Sequence, residues 1–244
     1  MKHAIVTGAT SGIGTSITKH LSKAGWKVSM LGRNQEKLRD LEKEIPQTQG
    51  FVCDLSDPNA IKTFASEFSY HQDLLALVNN AGVYQPGAMD DDRDAVWDYH
   101  YQNNLMSAVR LTRQFWSTLK ANKGSILNIS STLAVRPIAN TMAYSALKSA
   151  MNNWTQALAI EGAPHQVRAN CICPGIVDTP IHAFHKNDDP DQREIYQSVQ
   201  GAQPLGRIGQ PEDIAQWVLP FCDPGASWTT GTILNVDGGI LLNS

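Results

Sequence analysis

Short apolar runs alternate with longer amphipathic stretches along almost the whole chain. The short runs are rich in β-branched side chains, which is typical of strands, whereas apolar positions spaced three and four residues apart are typical of helices. Strands are predicted at residues 4–7, 27–31, 50–53, 74–78, 125–130, 168–172 and 232–236. Helices are predicted at residues 13–24, 35–44, 59–68, 93–120, 142–161 and 211–221.

This order of elements predicts an α/β fold. Strands that are apolar throughout and separated by helices indicate a parallel sheet covered on both faces, because the crossover between parallel strands needs a helix-length connection. We therefore expect a doubly wound (Rossmann) sheet of seven parallel strands with helices on both faces, forming one domain over residues 1–244. Ligands of such sheets bind beyond the carboxyl ends of the strands, where the winding reverses.

The bulk composition adds exclusions. A chain of 244 residues that is 42% hydrophobic and carries a net charge of -3 has a sizeable core and no excess of basic residues, so no nucleic-acid partner is expected. The strand pattern starts directly after the first residues, and no apolar run is long enough for a membrane span. We expect a cytoplasmic protein without a membrane partner.

The cysteines and histidines do not suggest a metal site. Four cysteines form no CxxC pair, and seven histidines form no cluster with ligand spacing. We interpret the cysteines as buried free thiols and expect no metal.

One segment breaks the alternation of strands and helices. Residues 179–210 are polar, with only a weak helical pattern near residues 193–200. Loops of this length are uncommon in compact domains unless they are functional or disordered. We predict a substrate-binding lid within the domain, the alternative being a disordered surface insertion.

A glycine-rich turn follows the first predicted strand. The segment from Gly8 to Gly14 reads Gly-Ala-Thr-Ser-Gly-Ile-Gly and leads directly into a helix. Glycine permits a tight turn and close approach of a ligand, while the N–H groups of a helix start favour a phosphate. The turn predicts a pyrophosphate site, although a strand-to-helix turn that binds nothing has the same local pattern.

The end of the second strand bears on which dinucleotide would bind. Gly32 offers no carboxylate for the 2'-hydroxyl of NAD, and Arg33 offers a guanidinium that suits the 2'-phosphate of NADP. NADP is favoured and NAD remains possible. Arg33 as a plain solvated cation is the alternative interpretation.

Tyr144 and Lys148 are candidate proton-transfer residues. They lie four residues apart in a predicted helix, so their side chains share one face. A cation beside a phenol stabilises the phenolate and makes tyrosine a usable acid or base. The pair alone is common on helix surfaces.

Several motifs in register resemble the short-chain dehydrogenase/reductase family, particularly its 3-oxoacyl-ACP reductase-like members. The motifs are Thr-Gly-x-x-x-Gly-x-Gly from residue 7, Asn-Asn-Ala-Gly from residue 79, Ser131, Tyr-x-x-x-Lys from residue 144, and Pro-Gly from residue 174. Ser131 stands thirteen residues before Tyr144, as the family spacing requires, although serines after a strand are also common turn residues.

The resemblance implies specific roles at the reaction centre. Ser131 would hydrogen-bond the substrate oxygen, Tyr144 would be the catalytic acid or base, and Lys148 would lower the pKa of Tyr144 and hold the nicotinamide ribose. Asn104 matches the asparagine of a water-linked proton relay, with Asn103 as its rival.

The resemblance also implies a set of cofactor-binding residues. Asp54 would contact the adenine, or act only as a turn or helix cap; Asn80 would lie under the adenosine ribose, and Ile176 and Thr179 would bind the carboxamide. The complete implied set is Gly8, Thr10, Ser11, Gly12, Ile13, Gly14, Arg33, Asp54, Asn80, Ala81, Gly82, Tyr144, Lys148, Pro174, Gly175, Ile176 and Thr179. Ser11 departs from the pattern, because many NADP-preferring members carry a basic residue there.

The predicted function is an NADP-dependent oxidoreductase that moves a hydride between nicotinamide and a carbonyl or secondary alcohol. The alternative is a dinucleotide-binding sensor or scaffold of the same fold. By resemblance, the substrate pocket includes Val83, Tyr84, Leu133 and Val135. Arg136 and His182 are candidate partners of an anionic substrate, or surface residues. The resemblance also implies a homotetramer, and the substrate stays open.

Overall fold

The fold is a single sheet of seven parallel strands with helices on both faces, as the sequence predicts. The computed structural model describes residues 2–91, 94–181, 200, 201 and 203–243. The strands are β1 (His3–Thr7), β2 (Lys27–Gly32), β3 (Thr48–Val52), β4 (Leu74–Asn79), β5 (Ser125–Ile129), β6 (Arg168–Pro174) and β7 (Ile233–Val236). The main helices are α1 (Gly12–Lys23), α2 (Gln35–Glu44), α3 (Pro58–Glu67), α4 (Asp94–His100), α5 (Ser107–Asn122), α6 (Met142–Gly162), α7 (Pro211–Ala215) and α8 (Val218–Cys222).

The strand order places a ligand crevice beside β1. The sheet runs β3-β2-β1-β4-β5-β6-β7, so the winding direction reverses between β1 and β4. The carboxyl ends of these two strands part at that point, and the turns that follow Thr7 and Asn79 face the opening.

Two apolar clusters cover the two faces of the sheet. One contains Ile17 and Leu21 of α1, and the other contains Leu111 and Phe115 of α5. Burying such side chains stabilises each by roughly 1.5–3 kcal/mol relative to exposure, so the sheet is a rigid platform for the residues at its edge. No helix among the described residues is both long and apolar enough to cross a bilayer.

The predicted helix over residues 93–120 is more complex than expected. Its start at Arg93 lies outside the described residues, α4 begins at Asp94, and Tyr101–Met106 is wound as a π-helix before α5. Polar side chains stabilise this wider turn: the Asn103 amide donates to the Tyr99 carbonyl at 2.9 Å, and the Ser107 hydroxyl donates to the Asn103 carbonyl at 2.6 Å. The π-helical turn rotates the residues that follow it about the helix axis, relative to their positions in a regular α-helix.

The predicted single helix over residues 211–221 is wrong. It is two short helices, α7 and α8, separated at Gln216 and Trp217. Pro220 accounts for the break, because a proline deep in one helix would clash with the carbonyl four residues earlier, whereas the first turn of a new helix tolerates it. The weak helical pattern at residues 193–200 lies almost entirely outside the described residues.

Candidate active site

The glycine-rich turn packs directly against the segment after β4. Gly8 and Gly12 have left-handed φ values of 62° and 51°. A Cβ atom on Gly8 would lie 2.9 Å from the Ala81 Cα, and one on Gly14 would lie 2.1 Å from the Gly8 carbonyl oxygen. Side chains are therefore excluded from this turn by its neighbours as well as by its conformation.

A set of short hydrogen bonds holds the two strand ends together. The Thr7 hydroxyl accepts from the backbone N–H groups of Asn80 and Ala81, both at 2.9 Å. In return, the Asn80 side-chain amide donates to the carbonyls of Thr7 at 2.9 Å and Gly8 at 3.3 Å. The glycine turn and the Asn-Ala-Gly segment therefore behave as one unit.

The N-terminus of α1 opens beside this unit. Ser11 precedes the helix in an extended conformation without a side-chain capping bond, and the first turn contains no acidic residue. The positive end of the helix dipole is thus left for an anion. Gly12 also touches the start of the 179–210 segment, since a Cβ there would meet the Thr179 methyl at 2.9 Å.

A cavity of about 870 Å³ joins the glycine turn to the predicted catalytic residues. It brings together most of the residues implied by the family resemblance. These are Gly8, Ser11, Gly12, Ile13, Asn80, Ala81, Gly82, Ser131, Tyr144, Lys148, Pro174, Gly175, Ile176 and Thr179.

Of the residues predicted for the reaction centre and the cofactor, five lie outside the lining of this cavity, namely Thr10, Gly14, Arg33, Asp54 and Asn104. Gly14 packs against Gly8 and Asn80, and Asn104 hydrogen-bonds Val83, so both adjoin residues that line the cavity. Of the residues predicted for the substrate pocket, Val83, Tyr84, Leu133 and Arg136 line the cavity, but Val135 does not and is 52% exposed. His182 lies outside the described residues.

Thr10, Arg33 and Asp54, which are predicted to bind the cofactor, follow the carboxyl ends of the neighbouring strands β1, β2 and β3. Thr10 packs on Gly32, where a Cβ would lie 2.7 Å from the threonine methyl. Arg33 is exposed after β2, and its charge contributes to lowering the pKa of Asp54. The main cause of that lowered pKa is Ser56, whose hydroxyl and backbone N–H donate to the Asp54 carboxylate at 2.7 and 2.9 Å. Asp54 thus has the turn-forming role left open by its sequence.

Tyr144 and Lys148 extend from one face of α6 into the cavity, as their spacing predicts. The Lys148 Nζ lies 5.7 Å from the centroid of the Tyr144 ring and donates to the Ile129 carbonyl at 2.8 Å. Ser131 follows β5, is buried, and lines the same cavity as Tyr144. Its Oγ also accepts from the Leu133 N–H at 3.1 Å, so a local turn holds the serine.

Burial dominates the electrostatics of Tyr144 and Lys148. Burial of its hydroxyl raises the pKa of Tyr144 to about 12, while the neighbouring Ser131 side chain acts in the lowering direction. Burial also lowers the pKa of Lys148 to about 8. The raised pKa of Tyr144 comes mainly from desolvation of the phenolate. The predicted lowering of the Tyr144 pKa by Lys148 stays a prediction.

The structure distinguishes Asn104 from Asn103. Asn104 is fully buried in the π-helical turn, and its side chain accepts from the Val83 N–H at 2.7 Å and donates to the Val83 carbonyl at 2.9 Å. A Cβ on Gly82 would lie 3.1 Å from the Asn104 Oδ1 and 3.6 Å from the Lys148 Nζ. Asn103 instead bonds within its own helix.

Several residues at the site had no recognisable sequence signal. His100 packs edge-on against Tyr144 with ring centroids 6.1 Å apart. Lining residues that the sequence did not indicate include Tyr99, Ile138, Ile240, Leu241 and Asn243. The Arg136 guanidinium donates to the Asn243 carbonyl, which attaches the C-terminal segment to the cavity. Such contacts join residues distant in sequence, so no local spacing could reveal them.

The described cysteines are free and buried, as predicted. Cys171 and Cys173 lie on β6 beside Asn152, whose Oδ1 accepts from their thiols at 3.3 and 3.6 Å. Across the described part of the chain, no three His, Cys, Asp or Glu side chains gather in a way that suits a metal ion.

The crevice, the glycine turn at a helix N-terminus and the Ser-Tyr-Lys cluster define a dinucleotide-dependent oxidoreductase fold. Residues 8–241 match a family whose description is enoyl-(acyl carrier protein) reductase. The chain is 32% identical to L-fucose dehydrogenase of Bos taurus, over 98% of this chain and 88% of the relative. It is also 32% identical to a tropinone reductase homolog of Arabidopsis thaliana, with coverages of 99% and 93%.

Solved structures agree with these likenesses. A variant of actinorhodin polyketide ketoreductase with NADPH superimposes with a TM-score of 0.91 at 32% identity, covering 98% of this chain and 97% of that one. L-sorbose reductase from Gluconobacter frateurii, complexed with NADPH and L-sorbose, gives a TM-score of 0.88 at 28% identity, with coverages of 98% and 96%. The chain belongs to the short-chain dehydrogenase/reductase family and is an oxidoreductase.

Proposed function

We propose that this protein is an NADP-dependent oxidoreductase that reduces a carbonyl compound, or oxidises the corresponding secondary alcohol, with Tyr144 as acid or base. The observation that carries the proposal is the convergence of Ser131, Tyr144 and Lys148 on the cavity that also contains the glycine turn. The cofactor, when bound, supplies or accepts the hydride. Relatives known to bind NADPH support this choice of cofactor.

The residues present fit a dinucleotide. The side-chain-free surface of Gly8 and Gly12, together with the start of α1, would hold the pyrophosphate. Ile176 and Thr179 line the same cavity and would hold the carboxamide, while Lys148 and Asn80 would hold the riboses.

The chain's own residues then supply the proton chemistry. In the reducing direction, the Ser131 and Tyr144 hydroxyls would bind the carbonyl oxygen, and Tyr144 would donate its proton to that oxygen. Because burial raises the pKa of Tyr144 to about 12, the hydroxyl carries this proton at neutral pH and has it available to donate. The Lys148 ammonium would stabilise the phenolate that remains, and in the oxidising direction that phenolate would take the alcohol proton.

A spectrophotometric assay tests this function. Purified protein is mixed with NADPH and each member of a panel of aliphatic, cyclic and 3-oxoacyl thioester ketones. We expect the absorbance of the NADPH nicotinamide band to decrease with at least one of them. Tight NADPH binding without turnover of any ketone in the panel would contradict the proposed oxidoreductase activity and favour the sensor or scaffold alternative. The relatives are named for different sugars and ketones, so the substrate is open.

Arg33 provides a test of cofactor preference. If its exposed guanidinium binds the 2'-phosphate, Arg33→Gln is expected to raise KM for NADPH about tenfold, because a charge-assisted contact worth ~1.4 kcal/mol is lost. KM for NADH should stay within about twofold, since NADH lacks that phosphate. Arg39→Gln, an equal charge change on exposed α2, is the control. Equal effects of Arg33→Gln on both cofactors would mean that Arg33 is a solvated cation.

The remaining predictions stay proposals. Residues 179–210 are proposed as the substrate lid, supported by Thr179, Pro180 and Ile181, which line the cavity at the start of this segment. A homotetramer and a cytoplasmic location are proposed from the family resemblance. Exposed apolar side chains support assembly, since Ile160 on α6 is 77% exposed and Leu242 is 86% exposed. Light scattering measures the oligomeric state.

A further inference from the structure

His100 is a fully buried histidine whose two ring nitrogens both contact backbone groups. Nδ1 lies 2.8 Å from the Val96 carbonyl oxygen, and Nε2 lies 3.2 Å from the Gln85 N–H nitrogen. A carbonyl only accepts and an N–H only donates, so Nδ1 carries the proton and Nε2 is the acceptor. The contacts therefore specify one neutral tautomer, with His100 joining α4 to the segment after β4.

The same helical stretch fixes the chain on both sides of Tyr84. The Asn104 side chain hydrogen-bonds both backbone polar groups of Val83, at 2.7 and 2.9 Å, and His100 accepts from the N–H of Gln85. The residues before and after Tyr84 are thus attached to consecutive turns of one rigid element. Tyr84 itself is half-buried.

The anchored Tyr84 lies against the proposed catalytic tyrosine. Its ring packs edge-on against Tyr144 with centroids 5.1 Å apart, and both residues line the cavity. His100 also packs against Tyr144, with ring centroids 6.1 Å apart. A substrate whose carbonyl oxygen reaches Tyr144 therefore lies in the cavity that Tyr84 also lines.

We propose that His100 is a positioning residue, which acts on the reaction by holding Tyr84, a residue of the predicted substrate pocket, through Gln85. This inference rests on the proposed function. Its energetic basis is orientation: small displacements of a group that aligns the substrate are costly, about 100-fold in rate for ~1 Å. The alternative is that His100 only fills the interior.

Two conservative variants separate the two hydrogen bonds of His100. In His100→Gln, the side-chain oxygen is placed near Nε2 and still accepts from the Gln85 N–H. In His100→Asn, the amide is placed near Nδ1 and keeps only the bond to Val96 within the helix. We expect His100→Asn to lower kcat/KM for the ketone about tenfold and His100→Gln to lower it less than about threefold. KM for NADPH and the Tm of His100→Asn should remain close to those of His100→Gln.

A double-mutant cycle tests whether His100 acts through Tyr84. Tyr84→Leu alone is expected to raise KM for the ketone about tenfold, and adding His100→Asn should change kcat/KM less than about twofold further, because the coupled partner is gone. The proposal would be overturned if the effects of Tyr84→Leu and His100→Asn on kcat/KM were fully additive, or if His100→Gln and His100→Asn lost equal kcat/KM. It would also be overturned if the loss of kcat/KM were matched by weaker NADPH binding and a lower Tm. Loss of all turnover in Tyr144→Phe with normal His100 variants would overturn only this inference, whereas an active Tyr144→Phe would overturn the proposed function.

Discussion

Replacing Tyr144 with Phe is expected to lower kcat for ketone reduction by about 10³-fold, which corresponds to ~4 kcal/mol and is typical of removing a positioned general acid. The substitution removes the hydroxyl that carries the transferable proton and leaves the ring, which still packs against Tyr84 at the same face. The Ser131 and Lys148 side chains remain to bind the substrate oxygen and the cofactor, so substrate and cofactor binding should change little.

Stopped-flow measurement of NADPH oxidation, together with fluorescence titration of NADPH, checks this result. Tyr70→Phe is the matched control, because it removes a phenolic hydroxyl that bonds Gln49 at 3.1 Å, far from the cavity. Loss of the Tyr144 hydroxyl is expected to change the free energy of unfolding by no more than about 1 kcal/mol. Turnover within tenfold of wild type in Tyr144→Phe would require a different proton donor.

Replacing Gly14 with Ala is expected to weaken NADPH binding by about 10- to 100-fold, the equivalent of 1–3 kcal/mol of overpacking. The added methyl would lie 2.1 Å from the Gly8 carbonyl oxygen and 2.6 Å from the Asn80 Nδ2. Neither atom is free to move, because the first is backbone and the second donates to the Thr7 and Gly8 carbonyls. The turn must therefore open, which displaces the helix N-terminus from the pyrophosphate position.

Fluorescence titration with NADPH and calorimetry of the free protein measure the two consequences, weaker binding and a lower Tm. Gly87→Ala is the matched control, since a Cβ there meets no atom within 4 Å and its φ is outside the left-handed region. It should leave both quantities unchanged. Gly14→Ala with wild-type NADPH affinity would mean that the cofactor does not depend on this turn.

Much of the framework was predictable because it depends on short-range chemistry. Apolar runs separated by amphipathic stretches identify all seven strands of the sheet to within about two residues at their ends. The exceptions have local causes that the pattern underestimated: Pro220 divides the last predicted helix, and side-chain bonds of Asn103 and Ser107 widen the fourth.

The core of the site was also visible in sequence. Four-residue spacing places Tyr144 and Lys148 on one helix face, and the register of Ser131 with Tyr144 follows the family pattern. The pKa of Tyr144 was not visible, because it depends on desolvation by everything that surrounds the hydroxyl.

The strands, the glycine turn and the Ser-Tyr-Lys arrangement could be predicted, since each results from residues within a few positions of one another or in a fixed register. Long-range packing places Asn104 and not Asn103 next to Gly82, attaches His100 to the segment beside Tyr84, and brings the C-terminal segment to the cavity. These are contacts between distant parts of the chain, and they form because burial and hydrogen bonding in the folded state bring those parts together.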